Sequence, residues 1–162
     1  MSTKAPVFAA TSLPQGVRVG IAAARFNAEI VDELLKGCKK RLKELGVADA
    51  DVEMVRVPGA FELPLAAKVM AQTGRFNAVV CLGAVVRGET PHFDYVAGEC
   101  ARGIQDVALE TNLPVIFGVL TTDNEEQAWD RTGGRHGHVG VQAAEAAVEM
   151  IAALAAVRRG RL

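Results

Sequence analysis

Arg87, Glu89, Thr90 and His92 fall within six residues of one another, directly after an apolar run from Ala78 to Val86. A guanidinium, a carboxylate, a hydroxyl and an imidazole in one short segment suit the binding of an anion with proton transfer beside it, because imidazole exchanges protons near neutral pH. A buried strand that breaks into such a loop points to a site at its end. His92 also precedes a helical pattern, and the unpaired N–H groups of a helix start favour an anion and a neutral imidazole. The plain alternative is that His92 caps its helix and does nothing more. Glu62 is a candidate polar anchor for a substrate. Arg87 and Arg131 are candidate anion partners, and each is equally suited to a structural or surface role. Phe26, Phe61 and Phe117, at expected strand ends, offer an aromatic wall for a planar ring or simply core packing.

Other chemistries lack their residues. The only serines, Ser2 and Ser12, lie near the N-terminus, so a serine hydrolase has no nucleophile. There is no GxxxxGK followed by Ser or Thr and no GxGxxG, and the first strand-to-helix turn reads AAARFN. Neither a nucleoside triphosphate nor a dinucleotide finds its usual cradle there. His136 and His138 have no third ligand at metal spacing, so no metal is expected. Lysine is absent after Lys68, and Lys36, Lys39, Lys40 and Lys43 share one charged helix, which argues against an enzyme-bound Schiff base. Cys81 lies mid-strand, where a thiolate is disfavoured.

The elements that must position these residues alternate between strand and helix patterns. Strands are predicted at Val17 to Ala24, Val52 to Val57, Ala78 to Val86 and Val115 to Leu120. Helices are predicted from Ile30 to Leu45 with Gly46 as the stop, from Phe61 to Thr73 with Gly74 ending it, from His92 to Asn112, and from Gly140 to Val157. Asp123 and Glu126 have the spacing of a capping box opening a short helix to about Arg131. Right-handed crossovers make such strands parallel, so their C-terminal ends share one edge. Four loops meet there: Arg25 to Asn27, Pro58 to Glu62, Arg87 to His92 and Thr121 to Asp123. Ligands of open α/β sheets lie at that edge.

The chain has 162 residues, half of them hydrophobic, with a net charge of −1. Residues 1–15 read as an arm and residues 16–162 as one α/β domain large enough for its own core. The near-neutral charge gives no general attraction to nucleic acid, and no uninterrupted apolar stretch approaches the ~18 residues of a membrane span. The apolar surplus suits a subunit interface. Cys38, Cys81 and Cys100, odd in number and far apart, suit reduced core thiols in a cytoplasmic protein.

The segments ARFN (Ala24 to Asn27), VPGAFELP (Val57 to Pro64), GAVVRGETPHFDYV (Gly83 to Val96) and FGVLTT (Phe117 to Thr122) resemble, in content and order, the 6,7-dimethyl-8-ribityllumazine synthases of riboflavin biosynthesis. The resemblance implies a flavodoxin-like three-layer α/β/α sandwich around a four-stranded parallel sheet, with the N-terminal arm adding a strand to a neighbour. It implies a pentamer, in some members assembled further into capsids, with active sites between adjacent subunits. The implied reaction condenses 5-amino-6-(D-ribitylamino)uracil with 3,4-dihydroxy-2-butanone 4-phosphate, with no metal or cofactor. By the same resemblance, Phe26 stacks on the pyrimidine, and Ala60, Phe61, Glu62, Ala84, Val85 and Val86 hold the pyrimidine and its ribityl chain. Glu89 and Thr90 lie at the phosphate, and His92 moves protons. Phe117 and Arg131 come from the adjacent subunit, the first to the pyrimidine and the second to the phosphate. Where many members carry a lysine and then an acid, this chain has Val139 and Gln142, while Arg135 keeps a basic position. A reading of another class is a carrier that binds a flavin or pteridine on a flavodoxin-like fold without chemistry.

Overall fold

The computed structural model describes residues 12–160, so the expected N-terminal arm lies largely outside the described residues. Four strands, β1 (Val19–Ala24), β2 (Val52–Val57), β3 (Ala78–Val86) and β4 (Val115–Thr122), form one sheet in the order β2-β1-β3-β4, every pair parallel. Helices α1 (Ala28–Glu44) and α5 (Val139–Arg158) cover one face, and α2 (Leu63–Gln72) and α3 (His92–Thr111) cover the other. This is the expected flavodoxin-like sandwich.

The unbroken apolar runs explain the layering. β1 is buried along its whole length and β3 along all but its last residue, because helices lie on both sides of them. Ile21, Leu34, Leu82 and Val148 are among the fully buried side chains of the α1/α5 layer, and Leu63, Val79 and Ile104 of the α2/α3 layer. Each such side chain contributes about 1.5–3 kcal/mol on burial. Two glycines let α5 approach α1 closely. A Cβ at Gly140 would sit inside 3.0 Å of the Leu34 carbonyl, and one at Gly37 would overlap the ring of His138.

α5 is the one helix among the described residues long and apolar enough to cross a membrane. Its Ala143, Ala144, Ala147, Val148 and Ile151 are buried within the α1/α5 core layer, which is the packing of a core helix.

Several boundaries move for physical reasons. β1 begins at Val19 rather than Val17, because Arg18 exchanges its backbone bonds with Asn77 outside the ladder, donating to Oδ1 and accepting from N–H at 2.8 Å each. β4 runs on to Thr122, pairing Thr121 with Val85 and Thr122 with Val86, so the two threonines are strand and not loop. The cap of the short helix α4 (Glu125–Trp129) is Asn124, whose side chain accepts the Gln127 N–H at 2.9 Å. Asp123 instead donates its own N–H to Gln127 Oε1 at 3.0 Å, so the expected Asp123–Glu126 box does not form. The glycine-rich segment that follows is a small antiparallel hairpin, β5 (Thr132–Gly134) and β6 (Gly137–His138).

Candidate active site

β1 ends at Ala24, and the chain turns sharply through Asn27, whose left-handed backbone (φ 56°) starts α1. Asparagine tolerates this conformation better than most residues. The Asn27 side chain donates to the Ala84 carbonyl at 2.8 Å, and the Phe26 N–H donates to the Pro58 carbonyl at 3.0 Å. The end of β1 is thereby tied to the ends of both neighbouring strands. After β2, a single 3₁₀ turn at Ala60–Glu62 precedes α2, and the Glu62 carboxylate accepts the Gly59 N–H at 2.9 Å. After β3, the chain turns through Gly88 to Pro91, and His92 is the first residue of α3.

These three strand ends enclose a cleft of about 750 Å³. Phe26, Ala60, Phe61, Glu62, Ala84, Val85, Val86, Thr90 and His92 all line it, so most of the expected site residues are brought together. Phe26 and Phe61 are 72% and 57% exposed, which sets aside core packing and leaves their rings free for a ligand. The wall is mostly apolar, with the Glu62 carboxylate, the Thr90 and Tyr95 hydroxyls, the His92 imidazole and the Asn27 amide as its polar side-chain groups, the usual composition of a small-molecule site. α3 starts at His92, and a helix start favours an anion, though the Asp94 N–H already donates to the Pro91 carbonyl at 3.0 Å. The His92 N–H itself has only a long approach of 3.5 Å to Thr90 Oγ1.

Three expected residues do not line the cleft. Glu89 is exposed on the adjoining loop. Phe117 is the third residue of β4 and not at a strand end. Its register partner is Cys81 in the middle of β3, far from the edge, and it is 42% exposed. Arg131 follows α4, with its guanidinium donating to the Gln127 carbonyl at 2.8 Å.

The fourth loop is also displaced from the cleft, though it is joined to it. Arg87 stacks over Phe93 at 4.2 Å and pairs with Asp123 at 3.1 Å and with Asp94 at 3.3 Å. The Asp123 hydrogen bond leads among the interactions that hold its guanidinium in the charged form. Arg87 is therefore a structural tie between the β3 and β4 loops and not a cleft cation. Among the described residues, those that line the cleft include neither lysine nor arginine.

Pro58, Gly59, Gly88, Phe93, Tyr95 and Val96 line the cleft although none of them was picked out from the sequence as a site residue. Tyr95 carried a usable signal, since it lies three residues after His92 and shares its helix face. No group of three or more His, Cys, Asp or Glu side chains among the described residues is placed to hold a metal ion. The cysteines are free and buried, and burial pushes the Cys38 and Cys100 thiols up to about 12 and Cys81 higher still, so none is poised as a nucleophile.

The comparisons agree with this geometry. The family described as 6,7-dimethyl-8-ribityllumazine synthase matches residues 16–155. A curated protein of Protochlamydia amoebophila (strain UWE25) named 6,7-dimethyl-8-ribityllumazine synthase is 52% identical over 134 residues, which are 83% of this chain and 78% of that protein. With a match across most of its length and a relative of that identity, the chain belongs to the 6,7-dimethyl-8-ribityllumazine synthase family.

Proposed function

We infer that the protein is a transferase of riboflavin biosynthesis that condenses 5-amino-6-(D-ribitylamino)uracil with 3,4-dihydroxy-2-butanone 4-phosphate. The products are 6,7-dimethyl-8-ribityllumazine, phosphate and water. Family membership carries the reaction, and the observation that supports the site is the convergence of Phe26, Glu62 and His92 on one cleft. Nothing in the comparisons favours the carrier reading.

The substrate supplies its own amine, so the enzyme's work is to orient two reactants and to move protons. Phe26 stacks on the pyrimidine, while Ala60, Phe61, Glu62 and the β3 end from Ala84 to Val86 hold the ring and its ribityl chain. The pyrimidine's 5-amino nitrogen attacks the ketone carbon, and loss of water leaves an imine. His92 donates and accepts protons as the phosphate departs and as the ribitylamino nitrogen closes the second ring with loss of a further water.

The phosphate needs a cation, and the described residues that line the cleft of one protomer include none. We assign that role to Arg131 of an adjacent subunit, with Glu89 and Thr90 at the phosphate and Phe117 reaching the pyrimidine from the same neighbour. Phe117, Leu65, Val69, Leu109 and Met150 are exposed apolar side chains, as a chain that buries part of its surface against copies of itself would carry. A pentamer with sites between subunits is the assembly this reading adopts from the resemblance, and buried free thiols support a cytoplasmic setting.

The test is direct. With both substrates present, the lumazine chromophore should form well above the spontaneous background. A rate equal to that background overturns the reading.

A further inference from the structure

Arg131 is set at the base of a hairpin too small to stand alone. Its N–H donates to the Ala128 carbonyl at 3.1 Å, and its own carbonyl accepts the Val139 N–H, the first of α5, at 2.9 Å. Between them lie a strand of three residues and one of two, and an isolated hairpin of that length has little stability in water. One side chain closes it. The Asp130 carboxylate accepts the Arg135 N–H through Oδ1 at 2.8 Å and pairs with His136 Nδ1 through Oδ2, so the tip folds back onto the residue next to Arg131. Gly134 permits this, because a Cβ there would lie inside 3.0 Å of the Asp130 main chain. The His136 bond leads, against a smaller opposing cost of burial, in holding the Asp130 carboxyl below the usual carboxylate range.

We propose that Asp130, acting with His136, is a positioning residue for Arg131: its carboxylate clamps the Thr132–His138 hairpin and so fixes where the neighbouring guanidinium reaches. The proposal rests on the reading of Arg131 as the phosphate ligand. A carboxylate bound by two donors at once fixes geometry as well as energy, and a small misplacement of a binding group is enough to lower its effect. His136 does not line the cleft, and neither does Asp130. Because they act through Arg131, which the proposed function places at the phosphate, their influence is expected on the phosphorylated substrate only.

The test measures KM for each substrate, and kcat, in His136→Ala and Asp130→Ala, alone and combined with Arg131→Ala. His136→Ala should raise KM for the phosphorylated ketone roughly three- to tenfold, the range of one lost hydrogen bond, and leave KM for the pyrimidine unchanged. Asp130→Ala should shift it further in the same direction. His136→Gln, which keeps a donor for the carboxylate, should recover most of the loss. In the Arg131→Ala background, His136→Ala should add less than about twofold, since the group it positions is gone. Equal shifts for both substrates, or an undiminished effect without Arg131, would make the clamp merely structural and overturn the proposal. A raised ketone KM in Arg131→Ala with none in His136→Ala overturns the proposal alone. An unchanged ketone KM in Arg131→Ala overturns the role of Arg131 and the proposal with it.

Discussion

The Asn27 side chain donates a 2.8 Å hydrogen bond to the main-chain carbonyl of Ala84, 57 residues further along the chain. This bond crosses from the end of β1 to the end of β3, where ligands of open α/β sheets bind. Phe26, the residue before it, lines the same cleft as the strand end that leads to His92. Because Asn27 also holds a left-handed backbone, two substitutions separate its two contributions. Asn27→Gly should keep the turn and lose the tie, lowering kcat more than stability. Asn27→Ala should lose both, be less stable than Asn27→Gly by about 1–2 kcal/mol, and so unfold at a lower temperature. Thermal melts run beside steady-state kinetics distinguish the pair, and equal stability in the two variants would discount the backbone argument.

His92→Ala should lower kcat by roughly ten- to a thousandfold, the range of general acid–base effects, with particle mass unchanged. The side chain is exposed in the cleft, so its loss removes no core contact. Wild-type turnover in this variant would remove His92 from proton transfer.

Phe26→Ala should raise the pyrimidine KM by roughly ten- to a hundredfold, the effect of losing one aromatic stacking partner, and leave the melting temperature nearly unchanged because the ring is 72% exposed. A large loss of stability would show that the ring packs against protein in the assembled enzyme rather than against substrate.

Gly140→Ala tests the α1–α5 contact. Alanine would gain about 1 kcal/mol of helix propensity, yet its Cβ would meet the Leu34 main chain, which cannot turn aside as a side chain can. Overpacking of this kind costs about 1–3 kcal/mol or more. Denaturant unfolding should show net destabilisation, and a stabilised variant would contradict the packing described.

His138 predicts a pH dependence of stability. Its ring is seated over Gly37, and burial, outweighing the attraction of Glu33, lowers its pKa below the ordinary value of 6.5. The unfolded chain therefore takes up this proton first as pH falls. Stability from this site is full above about pH 6.5 and declines as pH drops from there towards the lower folded value. His138→Gln should flatten the slope of unfolding free energy between about pH 7 and pH 5. An unchanged slope would mean the ring is freely solvated.

Much of the fold was legible because burial on both faces leaves a mark along the chain. β3 falls where its apolar run predicts, the half-exposed edge strand β2 falls where its valines predict a strand, and α1 stops at Gly46, which takes the left-handed conformation that ends a helix. The cleft was legible for the same reason, since polar residues after buried strands have only the sheet edge to occupy. What the sequence did not reveal depended on partners distant in the chain. Thr121 and Thr122 look like loop until β3 offers them a ladder, and Arg87 looks like an anion ligand until Asp123 and Asp94 close on it. Local pattern determined which segments are strand or helix and which residue types reach the rim, because propensity and burial act along the chain. Only the tertiary structure decided which residues near that rim face the cleft, Asn27 and Tyr95 among them and Arg87 not, because strand order, register and ion pairing are settled by contacts between segments.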